Sequence, residues 1–121
     1  MKHAVRIRLA KPLGLLEELL SKPPEKINAA YPTFHGVYAI SDEEDSCVIY
    51  VGMTKTGADG IGQRLYDHLN NNGVSDLKTF LGGDKEKAGE CHVRYIEVLE
   101  YLDRRNLESL AIAVLSPKHN K

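Results

Sequence analysis

A chain of 121 residues, 42% apolar and 27% charged, suffices for one domain with its own core and is too short for two. Its formal net charge of −1 excludes a protein that holds nucleic acid by bulk basic charge, although a small local patch can bind phosphate on a neutral surface. Cys47 and Cys91 have neither metal-ligand spacing nor the numbers for a disulfide framework, so they read as small buried hydrophobes of a reducing compartment.

The opening segment, "MKHAVRIRLAKP", has no continuous apolar core for a signal peptide, and no run reaches membrane-spanning length. The expectation is a cytoplasmic protein with no membrane contact. Within that segment, the alternation of "AVRIRL" (4–9) predicts a strand. "PLGLLEELLSK" (12–22) predicts a short helix, with Pro12 near its start and Pro23-Pro24 closing it. Residues 24–34 read as a connector.

Strands follow at 36–40 and 47–52, joined by the acidic loop "SDEEDS" (41–46) and read as an antiparallel pair. Tyr38 and Ile40 share one side of their strand, Val37 and Ala39 the other; Val48, Tyr50 and Gly52 share a face by the same period of two. "MTKTGADGIG" (53–62), with three glycines, reads as a mobile loop. "QRLYDHLNNN" (63–72) has Leu65 and Leu69 at helical spacing, and Ser75 and Gly82-Gly83 frame a second short helix at 75–81. "CHVRYIEVLE" (91–100) predicts a strand. The last helix, 103–115, takes Asp103 as its cap and Leu107, Leu110, Ala111 and Val114 as a core-facing stripe; Ser116-Pro117 ends it. Strands interleaved with helices in so short a chain predict an α+β sandwich.

Gly36-Val37-Tyr38 followed by Tyr50-Val51-Gly52 resembles the signature of the GIY-YIG nuclease family. The likeness continues with Arg64 in "GQRLYDHL", His68 one turn later, Glu108 in "NLESLAIAVL" and Asn120 in "SPKHNK". It covers about residues 35–121 and leaves 1–34 as an N-terminal strand-and-helix extension. Each motif is short, and the specificity lies in the ordered set. The resemblance implies a small central sheet, mainly antiparallel, of about three strands plus an N-terminal edge strand, flanked by helices. It also implies a metal-dependent endonuclease that hydrolyses nucleic-acid phosphodiester bonds, DNA being the expected substrate, with Mg²⁺ or Mn²⁺ on Glu108.

The residues themselves allow that chemistry and also plainer alternatives. Arg64 and His68, four apart, project from one helix face and can clamp a phosphate, or they are a solvated surface pair. Glu108 sits at the edge of the apolar stripe, where a carboxylate needs a partner: either a hard cation or a salt bridge to Arg104 or Arg105. One of Tyr38 and Tyr50 would take the proton of the attacking water, which a phenol does only where cations such as Arg64, the metal and Lys55 favour its phenolate. Tyr50 is assigned the base and Tyr38 the orienting role, although the two are interchangeable on sequence alone. Asn120 would hydrogen-bond a tyrosine, Glu108 or the phosphate, or belong to a frayed tail. Family members often carry a cation directly after the Tyr-x-Gly element; here that position is Met53, and Lys55 is the nearest replacement. Gly52, Lys55, Arg64 and His68 are thus the expected substrate contacts, with a partner protein as one possible source of specificity. A non-catalytic nucleic-acid-binding module and a protein-interaction domain are the alternatives from other functional classes.

Overall fold

One antiparallel sheet with helices on both faces organises the molecule. The computed structural model describes residues 2–27, 32–55, 60–69 and 89–120; for 2–9, 68 and 69 it describes the backbone alone. The described elements are α1 (Lys2–Ser21), β1 (Glu25–Lys26), β2 (Gly36–Ser41), β3 (Val48–Met53), α2 (Ile61–Leu69), β4 (His92–Glu97) and α3 (Tyr101–Leu115). The sheet runs in the order β1-β4-β2-β3, every pair antiparallel. The α+β expectation holds, while the helix foreseen at 75–81 lies outside the described residues.

The N-terminal strand over 4–9 does not form, because α1 runs straight through it. Val5, Leu9, Pro12, Leu16 and Leu19 stand at helical spacing, a period that six residues of charge alternation concealed. Pro12 therefore lies inside the helix rather than at its start, and it costs the helix one backbone bond there. The fourth strand comes instead from the supposed connector: Glu25 pairs with Val93 and Lys26 with His92.

All six residues of β2 are buried, as a strand covered on both faces requires. One face packs Val37, Ala39 and Val51 against Leu16 and Leu19 of α1 and Leu107 and Ala111 of α3. The other face sets Tyr38, Ile40 and Tyr50 against Ile61 and Leu65 of α2. Pairing along β2–β3 steps from Ile40↔Tyr50 to Ser41↔Val48, so Ile49 is the extra residue of a bulge. That bulge turns Val48 to the face opposite Tyr50, against the simple alternation, and Val48 packs with the α1–α3 layer.

The acidic hairpin loop is cross-braced. Asp45 has a left-handed backbone (φ 54°), a conformation that aspartate tolerates better than most residues. Its carboxylate accepts Arg94 Nη1 at 2.7 Å and Nη2 at 2.8 Å, plus the Ser41 hydroxyl at 2.5 Å. This bonding holds the Asp45 carboxyl at about 2, below its ordinary value. Cys47, at the foot of this hairpin, is exposed, whereas Cys91 is buried as expected. In α3 the cap is the backbone of Glu100, with no side-chain capping bond; Asp103 lies inside the first turn and pairs with Lys11 at 2.7 Å. The buried stripe is Arg104, Leu107 and Ala111, while Val114 faces solvent at 57% exposure. A left-handed Ser116 and Pro117 end the helix.

Candidate active site

The site starts from why each tyrosine strand carries a glycine. Tyr38 stands directly opposite Gly52 in the β2–β3 ladder. A Cβ on Gly52 would lie 2.4 Å from both Cζ and Oη of Tyr38, so the phenol rests against the bare Gly52 backbone. Gly36 serves another purpose: a Cβ there would meet the Ile96 carbonyl oxygen at 1.9 Å, so it lets β4 approach. The Tyr38 and Tyr50 rings lie 6.2 Å apart, tilted by 39°. A substrate contact at Gly52, expected from the sequence, is thereby left to its main chain, because Tyr38 covers its Cα.

Helix α2 is docked by its first turn, where Ile61 N–H donates to Phe34 O at 3.0 Å and Gly62 N–H to Pro32 O at 2.7 Å. Ile61 and Leu65 are fully buried, and that anchoring turns Arg64 toward the phenols. The Arg64 guanidinium favours the phenolate of both tyrosines, and the Tyr38 and Tyr50 side chains act on each other. Arg64 Nη1 also lies 3.6 Å from Asp67 Oδ2, an ion pair not foreseen from the sequence. His68 is on the same helix, and its side chain lies outside the described residues.

Glu108 arrives from the opposite layer. Helix α3 packs on the other face of the sheet, but β3 is an edge strand, so a side chain beside it acts around the edge. The half-buried Glu108 carboxylate acts electrostatically on both phenols. Burial pushes its carboxyl up from the ordinary value, and Lys55, just past β3, pulls it back down. The alternative salt bridge to Arg104 does not form. Arg104 is 4% exposed and gives its N–H groups to main-chain carbonyls: Nε to Thr54 O at 3.0 Å, Nη1 to Val98 O and Leu99 O at 2.9 Å each.

Burial raises both phenols above their ordinary range, Tyr38 the further of the two; Arg64 opposes the rise at each. The cationic field anticipated from the sequence thus acts in the right direction and is outweighed by desolvation.

The Asn120 amide bonds the Val51 main chain rather than a tyrosine or Glu108. Its Nδ2 donates to Val51 O at 2.7 Å and its Oδ1 accepts Val51 N–H at 2.6 Å, while His119 N–H reaches Ile49 O at 2.9 Å. The outer side of an edge strand needs hydrogen-bond partners, and a side-chain amide matches one residue's N–H and C=O. Asn120 therefore steadies the residue between Tyr50 and Gly52, and the C-terminal segment is not a frayed end.

Comparison with known sequences decides the family: residues 34–118 match the GIY-YIG catalytic domain. The chain belongs to the GIY-YIG family. It is a GIY-YIG-type endonuclease, and its substrate is a nucleic acid. Similar solved structures include the GIY-YIG N-terminal endonuclease domain of UvrC from Thermotoga maritima bound to its catalytic divalent cation, magnesium. That structure is 26% identical, with a TM-score of 0.57, and the match covers 78% of this chain and 96% of that one. A tyrosine-to-phenylalanine variant of the same domain, also bound to its catalytic divalent cation, matches at 26% identity and TM-score 0.57, over 78% of this chain and 94% of that one. No curated protein sequence matches the chain.

Helix α1 precedes the GIY-YIG match, yet Leu16 and Leu19 belong to the same hydrophobic layer as Val37 and Leu107. Asn120 lies two residues beyond the match. Among the described residues there is no cluster of three or more His, Cys, Asp or Glu able to hold an ion. What this GIY-YIG site offers is one half-buried carboxylate whose charge is disfavoured by burial, which suits a hard cation that keeps most of its waters. Thr54 was not singled out from the sequence, and Arg104, one turn before Glu108, was singled out only as a salt-bridge partner and not for its bonds to main-chain carbonyls.

Proposed function

We propose that this endonuclease hydrolyses DNA phosphodiester bonds with a divalent cation, Mg²⁺ or Mn²⁺, held by Glu108. The observation that carries the reading is convergence: Tyr38, Tyr50, Arg64 and Glu108, from two strands and two helices on opposite faces, interact electrostatically at one sheet edge. The cation in the similar UvrC structures supports the cofactor. When bound, such an ion supplies Lewis-acid stabilisation of the leaving oxygen.

The chain's own residues do the rest. Arg64 offers a guanidinium fork to the phosphate, with Lys55 as a further cation and His68 as a further hydrogen-bond donor or proton shuttle. Tyr50 takes the proton of the attacking water; it is the less buried phenol and the one that burial raises less. Tyr38 orients Tyr50 and relays the pull of Arg64. Asn120 holds β3 so that Tyr50 and Gly52 keep their places. Phosphate contacts carry no base sequence, so specificity comes from substrate shape or from a partner protein. The two free cysteines suit a reducing, cytoplasmic setting.

The test is nicking of supercoiled plasmid, with and without Mg²⁺, by the full chain and by Glu108→Gln. Mg²⁺-dependent nicking that the variant loses supports the reading; equal nicking by both overturns it.

A further inference from the structure

Arg104 precedes Glu108 by four residues, so the two share one flank of α3. Its guanidinium is buried, lies 5.6 Å from the centre of the Tyr101 ring, and has only carbonyl oxygens as hydrogen-bond acceptors among the described residues. Filling this space does not need a charge. A buried cation costs free energy unless its N–H groups are bonded, and an apolar side chain of similar volume would pack without that cost.

What the charge adds is a set of fixed distances. Thr54 Oγ1 accepts the Gly36 N–H at 3.0 Å and bonds His35 Nδ1 at 2.9 Å, and Thr54 N–H donates to Gly36 O at 3.0 Å. Through Thr54, therefore, Arg104 ties the start of β2, two residues before Tyr38, to the end of β3, two residues after Gly52. Through its own backbone it ties both to the turn of α3 that leads into Glu108. Lys55, the residue after Thr54, is the cation that acts on Glu108. The fork is specific to arginine, since a lysine ammonium is a point charge without planar donors.

We infer that Arg104 is a positioning residue for cleavage: it holds the strand end bearing Gly52 and Lys55 against the helix turn bearing Glu108, so that the carboxylate and the phenols face one hydrated cation. This rests on the assignment of Glu108 as the metal ligand.

The test uses the full chain and Arg104→Lys, which keeps the charge and loses the fork. Mn²⁺ binding without DNA is measured by electron paramagnetic resonance of the free ion, alongside thermal unfolding and Mg²⁺-dependent nicking below the unfolding range. The expected result is an Mn²⁺ affinity lower by about tenfold, with a matching rise in the Mg²⁺ concentration for half-maximal nicking, as for other groups that support a ligand. A variant that melts earlier yet binds Mn²⁺ as wild type would overturn the inference, because Arg104 would then serve stability alone. Should Arg104→Lys fail to fold, Thr54→Val carries the test: it removes the side-chain bonds to the Gly36 N–H and to His35, keeps the backbone bond to Gly36 O and the carbonyl for Arg104, and should weaken Mn²⁺ binding by about threefold. Unchanged binding there overturns the proposal too. Glu108→Gln is run in parallel; if it binds Mn²⁺ like wild type, the metal assignment itself fails and the role of Arg104 falls with it.

Discussion

Two carboxylates sit in opposite circumstances. Asp45, in the hairpin loop, is gripped by both terminal nitrogens of Arg94 and by Ser41, and this bonding lowers its carboxyl to about 2. Glu108, at the far end of the same strand pair, is half-buried, and desolvation raises it. The nearby arginine that could have neutralised it, Arg104, is committed to three carbonyls. Asp45 is satisfied by the fold, whereas burial disfavours the Glu108 charge and Lys55 opposes that rise. A carboxyl raised by burial and countered by Lys55, beside two raised phenols, is where we place the functional end of the sheet.

Neutralising each carboxylate in turn separates the two. Glu108→Gln should cut cleavage by about a thousandfold or more while its thermal midpoint stays level or rises, since a disfavoured charge is gone. A large fall in its midpoint would mean that Glu108 is structural, like Asp45. Next in size come the phenols. Tyr50→Phe should lose cleavage by about a hundredfold or more, and Tyr38→Phe by roughly tenfold, because one transfers the proton and the other orients it. As Tyr50 is raised above its usual value, cleavage should climb with pH through the alkaline range, and Tyr50→Phe should flatten that climb. If Tyr38→Phe proves the more damaging, the two roles are exchanged.

Gly52→Ala probes the seat of Tyr38. Its Cβ would strike the phenol at 2.4 Å, so it should destabilise by about 1–3 kcal/mol and depress cleavage as the ring is displaced. Wild-type rates and melting would show that the ring relocates freely. The smallest effect belongs to Asp45→Asn, about 1 kcal/mol in denaturant unfolding at neutral pH, with cleavage retained. The Asp45 carboxyl is lower in the folded chain than its usual 3.8, so its contribution is complete above about pH 4 and fades as pH falls toward 2. The wild-type advantage over Asp45→Asn should therefore shrink across that window.

Legibility in the sequence followed the range of the forces involved. The β2–β3 pair, α2 and α3 were readable because their periods and turn residues are local, and the ordered tyrosines, Arg64 and Glu108 were readable as a set. The strand at 4–9 was misread because a window of six residues cannot show the helical stripe that continues to Leu19. The orientation of Val48 depended on a bulge set by how the loop closes over Asp45, which no residue of β3 announces. The partner of Asn120 was hidden for a similar reason: the need at Val51 arises from its place on the sheet edge, a property of topology. Arg104 was read as a salt-bridge partner for Glu108, and only the docking of α3 against the end of β3 gives it the Thr54 carbonyl to bind.

In the proposed mechanism one cation sits between Glu108 and the two phenols. Anomalous scattering from crystals of the full chain soaked in Mn²⁺ would locate it. The expected result is an ion on the Glu108 carboxylate, on the side facing Tyr50, that is lost in Glu108→Gln; Mn²⁺ bound elsewhere, with none at Glu108, would overturn the mechanism.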